Sequence, residues 1–393
     1  MDFPQIDILF FERPLVDLKK FAFKISKVIK EKDDNIKLGA ICIELPTEND
    51  KNDIDYFYHR KQIKNIDDFL KQSKVQLIVF TQSRIPDLEF MLHAKHLGIK
   101  TIMIQEGVMF DGMNINDVTK DNLIAILGYL PKVFEYLNIV RNMCKYDGVG
   151  YFKTMIDVIK KKKNITIILS NSFSSHLICD YVLTMGEYWD DYYISKHGYT
   201  KDQIVIIGDH DLDGFSPENK NEAAICYIAN ALLEDGSIKK KDFFDFISLM
   251  ANTIDKNTKL YVKLHPRSNR EFYNLLNNHN VEFIRNGSLP SVNVYIGHRS
   301  ALLGRALYES DSLIIWRFPN EEFSFYEKFA AATCTDAASF TKAVQSINIY
   351  DHTNKRLKEI ESVYWNNPMG SMNDAGRYIV EYLNHGIIAG EIS

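Results

Sequence analysis

Short runs of apolar residues recur along this chain, and the stretches between them carry apolar positions at helical spacing. In the first half the runs are Ile6–Phe10, Leu38–Ile43, Val75–Phe80, Lys100–Ile104, Ile165–Leu169, Tyr181–Met185 and Ile204–Ile207. Pro14–Lys30 and Asp87–Leu97 are among the helical patterns between them. The runs are continuous rather than alternating, so both faces of each strand are buried. That pattern predicts a parallel sheet with helices on both sides.

After the polar stretch Ser216–Glu222 the pattern restarts. Strands are expected at Ala224–Ile228, Lys259–Leu264, Val281–Ile284, Val292–Ile296 and Ser312–Trp316. Ser268 and Glu271, just past the second of these, have the spacing of a capping box that opens a helix. No internal repeat or low-complexity linker is present. The reading is α/β throughout, with one Rossmann-like domain over 1–218 and a second over 219–393. The last helical stretch, Asn373–Leu383, is a candidate to cross back onto the first domain.

Composition narrows the function classes. With 393 residues, 46% hydrophobic and 25% charged, the chain has material for two cores and no signature of disorder. A formal net charge of -5 argues against nucleic acid as a partner. Cys42, Cys144, Cys179, Cys226 and Cys334 form no CxxC pair, and their odd number fits reduced thiols. The opening residues lack the order of a signal peptide, and no apolar run approaches the ~18 residues of a membrane span. The expected location is therefore cytoplasmic. Two basic stretches, Lys160–Lys163 and the lysines of Leu15–Lys30, are ordinary solvated faces or contacts to anionic lipid at the inner membrane.

Ligands of open α/β sheets bind beyond the carboxyl ends of the strands, so the loops after each strand carry the candidate chemistry. Lys263-Leu264-His265-Pro266-Arg267 ends a strand at a proline and leaves an imidazole and a guanidinium before a helix start, a group suited to phosphate. Gly297-His298-Arg299-Ser300 turns from a strand into another helix, where Ser300 can cap the helix or meet a phosphate. Gln105-Glu106-Gly107 places a carboxylate at a strand mouth of the first domain, the position for a general base, with Gly107 letting the backbone turn. Glu234-Asp235-Gly236 competes for that role from the second domain and ranks below it.

Together these loops resemble the GT-B glycosyltransferases, two Rossmann-like domains facing across a cleft. More narrowly they resemble the bacterial group with an HP motif: sialyltransferases, polysialyltransferases and, more remotely, CDP-glycerol glycerophosphotransferases. Residues 263–267 match the HP motif. Residues 297–300 match the later serine loop in part, with Arg299-Ser300 where paired serines are frequent. Gln105-Glu106-Gly107 stands where that group has an acidic pair before glycine.

The resemblance implies an inverting transferase in capsule, O-antigen or lipooligosaccharide synthesis, with a CMP-activated acidic sugar such as sialic acid as donor. Glu106 would be the base. Lys263, His265, Pro266, Arg267, Gly297, His298, Arg299 and Ser300 would hold donor phosphate for a glycan or lipid-linked glycan acceptor. No cofactor or essential metal is expected. Asp209-His210-Asp211-Leu212-Asp213-Gly214 opens like a calcium loop but has Lys220 at the twelfth position. Transferases using CDP-, UDP- or GDP-linked donors stay open, as does a non-catalytic assembly partner. A UDP-sugar 2-epimerase is the remaining alternative, for which a dense set of acidic and His residues would be expected.

Overall fold

The fold is taken from a computed structural model, which describes residues 3–12, 15–47, 50, 52–81, 83–108, 123–161, 177–214, 222–234, 236–285, 287–310, 312–319, 325–347 and 357–386. The chain divides into two compact units, Met1–Gly214 with Trp365–Ser393, and Phe215–Tyr364.

The first unit is built on seven strands: β1 (Ile8–Phe11), β2 (Leu38–Cys42), β3 (Tyr56–His59), β4 (Leu77–Phe80), β5 (Lys100–Ile104), β6 (Tyr181–Thr184) and β7 (Ile204–Ile206). Their order is β3-β2-β1-β4-β5-β6-β7, and each described pairing is parallel. β1, β2 and β4 are buried along their whole length, as continuous apolar runs demand. β3 escaped the apolar pattern because it is an edge strand whose four residues are only half-buried. The strand expected at Ile165–Leu169 lies outside the described residues.

The second unit has six strands: β8 (Glu222–Ile228), β9 (Lys259–Lys263), β10 (Val281–Ile284), β11 (Val292–Gly297), β12 (Leu313–Trp316) and β13 (Ala332–Cys334). They run in the order β10-β9-β8-β11-β12-β13, again in parallel. The helix expected after β9 forms with a different cap and a tighter winding. It is a 3-10 helix, Arg270–Asn278, and the Asn269 side chain accepts the Glu271 N–H at 3.0 Å in place of a Ser268 cap.

Residues 365–393, assigned to the second domain by the pattern, lie with the first unit. The helix Ser371–His385 packs on Ala22–Lys32 and adds Met372, Tyr378 and Ile379 to the first core. Gly376 lets the two helices approach: a Cβ there would stand 2.7 Å from Val28 Cγ1. Asp213 caps the helix start by accepting the Ser371 N–H at 2.6 Å, and Lys100 donates to the carbonyls of Tyr382 and Leu383 at 2.8 and 2.9 Å at its end. Asp213 of the calcium-like stretch is therefore a helix cap.

Candidate functional site

In the second unit the winding reverses between β8 and β11, and the loops after β8, β9 and β11 border the place where ligands of such sheets bind. The Leu264 N–H still bonds Ile284 O at 2.8 Å, and Pro266 then stops the ladder. The chain doubles back through Ser268 N–H to His265 O at 2.9 Å. Arg267 N–H donates to His265 Nδ1 at 3.2 Å, which leaves the ring proton of the neutral imidazole on Nε2. Two residues outside the motif hold this turn. The Arg285 guanidinium donates to Pro266 O and to Ser268 O, each at 2.7 Å, and the Glu234 carboxylate accepts Asn269 N–H at 2.6 Å. Arg267 is exposed beyond them.

Gly297 ends β11 where a Cβ would sit 2.6 Å from Leu303 Cδ2, so glycine lets that leucine of the next helix, Leu302–Glu309, lie against the strand end without shifting. Ser300 Oγ accepts Leu302 N–H at 3.3 Å, a bond that uses a lone pair and not the hydroxyl proton. Arg299 is exposed and Ser300 half-buried beside that helix start.

Three assignments change. His298 is 2% exposed and lies in the core, stacked on Phe318 with ring centroids 4.7 Å apart. Its Nδ1–H donates to Trp316 O at 2.8 Å and its Nε2 accepts the Tyr227 hydroxyl at 2.9 Å. Burial pushes its pKa down to about 4. With both nitrogens occupied it belongs to the core and does not face phosphate. His298→Ala is therefore expected to destabilise the fold by about 2–4 kcal/mol, seen as a lower Tm with donor affinity per folded molecule unchanged.

Lys263 is also withdrawn. Its ammonium donates to Gly287 O at 2.7 Å, and burial lowers its pKa, so it braces the loop that carries Arg285. Glu234 accepts Asn269 N–H on Oε1 and so serves the turn at His265, and Asp235 lies outside the described residues.

In the first unit the reversal falls between β1 and β4. Glu12, directly after β1, is 2% exposed and takes the Thr81 hydroxyl on Oε1. The Arg84 guanidinium pairs with Asp87 at 2.8 Å and stands 3.6 Å from Glu12 Oε2. Burial pushes the Glu12 carboxyl well above its ordinary range, against the pull of Arg84.

Glu106 follows β5 and is half-buried, with no hydrogen-bond partner on Oε2. Burial raises its pKa and the negative Asp17 adds to this, while Lys20, Arg84 and His210 pull it back. Gln105 explains why an amide precedes it. Its Oε1 accepts Met185 N–H at 3.1 Å and its Nε2 donates to Gly107 O at 3.0 Å, and a carboxylate could not do the second. Gly107 has ordinary φ and open space around it, so the turn does not depend on glycine there.

Asp209, His210 and Asp211 complete the group. His210 is 6% exposed, with Nε2 3.1 Å from Asp211 Oδ1. Burial lifts Asp209 to about 6; burial also works against the Asp211 charge, but His210 holds Asp211 at about 2. Their ligand atoms lie within 4.8 Å of one another, and the ion pair with the Asp211 N–H to Asp209 bond at 2.9 Å accounts for that closeness. The dense acidic and His set that the sequence pattern did not display is thus assembled in space. Glu12, Arg84 and His210 were missed, although Glu12 follows β1 as directly as Glu106 follows β5.

Several lysines of Leu15–Lys30 are paired, Lys19 with Asp50 at 2.5 Å, Lys20 with Asp211 at 3.7 Å and Lys30 with Asp55 at 3.1 Å. No described helix is long and apolar enough to cross a membrane.

Neither a family model nor a curated protein matches the sequence. Solved structures do match. The S. aureus MnaA–UDP structure is 11% identical, with 97% of each chain covered and a TM-score of 0.53. A UDP-N-acetylglucosamine 2-epimerase is 10% identical over 98% of this chain and 97% of its own, with a TM-score of 0.52. A transferase from Siraitia grosvenorii in complex with UDP is 9% identical over 97% of this chain and all of its own, with a TM-score of 0.51. The likeness shows the fold: two parallel-sheet α/β domains of the GT-B class, shared with glycosyltransferases and 2-epimerases.

Proposed function

We propose that this chain is an inverting glycosyltransferase that uses a UDP-linked sugar. The observation that carries the reading is Glu106, a carboxylate of raised pKa with an unpartnered oxygen at the carboxyl end of β5. It would take the proton of an acceptor hydroxyl as that oxygen bonds to the anomeric carbon. The bond from that carbon to the diphosphate breaks, and UDP leaves with the electron pair. His265 Nε2–H, Arg267 and the Ser300 hydroxyl would meet the charge on the leaving phosphate. These three cationic or donor groups support turnover without an essential metal.

Uridine replaces the cytidine implied by the HP motif because two of the matched structures are described as UDP complexes. The acceptor is read as a glycan, free or lipid-linked. A second reading, a 2-epimerase acting on a UDP-sugar, is favoured by one observation, the buried His210 with Asp209 and Asp211 near Glu106. UDP-hexoses and UDP-N-acetylhexosamines incubated with and without glycan acceptors separate the two. Transfer releases UDP in step with acceptor. An epimerase returns a UDP-sugar inverted at C2 with no acceptor, and that result would overturn the transferase reading.

A further inference from the structure

A pocket of about 210 Å³ opens in the first unit beside the carboxyl ends of β1 and β2, with Arg60 and the helices Ile85–His96 and Leu123–Tyr146 around it. It is smaller than the ~300–1,000 Å³ of sites for drug-sized ligands and has the size for one small ring. Phe11 and Ile139, both buried, give it apolar wall.

The charges around it cancel. Arg60 is not open to an anion, because its guanidinium donates to Glu89 at 2.9 Å and to Ile63 O at 3.0 Å. Lys61 and Glu135 add one charge of each sign. Glu12 lines the same pocket, and its Oε2 has no hydrogen-bond partner although the residue is 2% exposed. Arg84, 3.6 Å away, is beyond hydrogen-bond reach. Burial favours the neutral acid, whose hydroxyl is a donor in need of an acceptor.

A site with apolar wall, cancelled charge and one buried unmatched carboxyl fits a ligand that is uncharged and rich in hydroxyls. We infer that this pocket binds a neutral monosaccharide ring, one of whose oxygens pairs with Glu12. The inference rests on the reading of the chain as a sugar-handling enzyme, and it makes the pocket the place where a neutral acceptor residue is held. An acidic ring would upset that balance: Arg60 is closed on Glu89, Lys61 and Glu135 already offset one another, and the added carboxylate would lie beside Glu12 with no charge left to match it.

The test needs no donor. Methyl hexopyranosides of gluco, galacto and manno configuration, and the methyl glycoside of glucuronic acid, are titrated into the whole chain and followed by saturation-transfer NMR. At least one neutral glycoside should bind with a Kd of about 1–10 mM, and the uronate at least about tenfold more weakly. Cys42→Phe fills the pocket from β2, where Cys42 is 1% exposed. Asn138→Trp blocks it from the exposed rim and keeps the test alive if the first variant does not fold. Either variant, folded, should lose the glycoside and still bind UDP. Binding that survives a folded variant, absence of binding by every neutral glycoside, or preference for the uronate overturns the site. UDP release with no glycoside binding sinks the site alone. Glycoside binding in a chain that releases no UDP from any UDP-sugar keeps the site and refutes the transferase reading.

Discussion

Glu106→Gln is expected to lower turnover at least about a hundredfold while leaving affinity for the UDP-sugar within about twofold. An acceptor hydroxyl is a weak nucleophile at neutral pH, and a placed base contributes about two to four orders of magnitude. Gln preserves size and hydrogen bonding and removes only basicity. The pH profile gives an independent check. A base works only when ionised, and burial with Asp17 raises the Glu106 pKa. The wild-type rate should therefore fall, as pH drops, at a value above the ordinary carboxylate range, and the variant should lack that limb. Glu234→Gln is the control: its amide oxygen can still accept Asn269 N–H, so little should change. Wild-type turnover in the Glu106 variant, or a dead Glu234 variant, would reverse the assignment.

His265→Ala should reduce kcat/KM for the donor by one to two orders of magnitude. A charge-assisted bond from Nε2–H to phosphate is worth about 1.5–3 kcal/mol, which converts to roughly ten- to 150-fold. The turn itself should survive, because Arg285 holds Pro266 O and Ser268 O independently of the imidazole. Steady-state kinetics paired with a melting curve decides the matter. Full activity, or a Tm that collapses along with activity, would show that His265 serves the fold.

Much of the fold was legible because a strand buried on both faces must read as an unbroken apolar run, as in β1, β4 and β12. Where burial is partial the signal fades. β3 mixes Tyr and His at a sheet edge, and β13 has only three residues. The loops around His265 and Glu106 were legible because each directly follows such a run. His298 was misread because a His-Arg pair looks like one anion site, whereas successive side chains at a strand end point to opposite faces and send one ring into the core. Local pattern marks Glu12 as a strand-mouth residue but does not show that Thr81 and Arg84 meet it. The three are brought together by the β1–β4 pairing, across some seventy positions of chain.

The return of residues 365–393 to the first unit has a consequence for synthesis. The first unit is discontinuous: it lacks Met372, Tyr378 and Ile379 until the final helix is made, and the chain re-enters it where Asp209 N–H meets Trp365 O at 3.0 Å. The second unit is one uninterrupted segment and can fold as soon as it clears the ribosome. At about 5–20 residues per second, making it takes roughly 8–30 s. Throughout that interval Ile25 and Ile29 on the helix Ala22–Lys32 lack part of their cover, so the portion translated first is the portion finished last, and a nascent chain stalled at Tyr364 would present that bare face to chaperones.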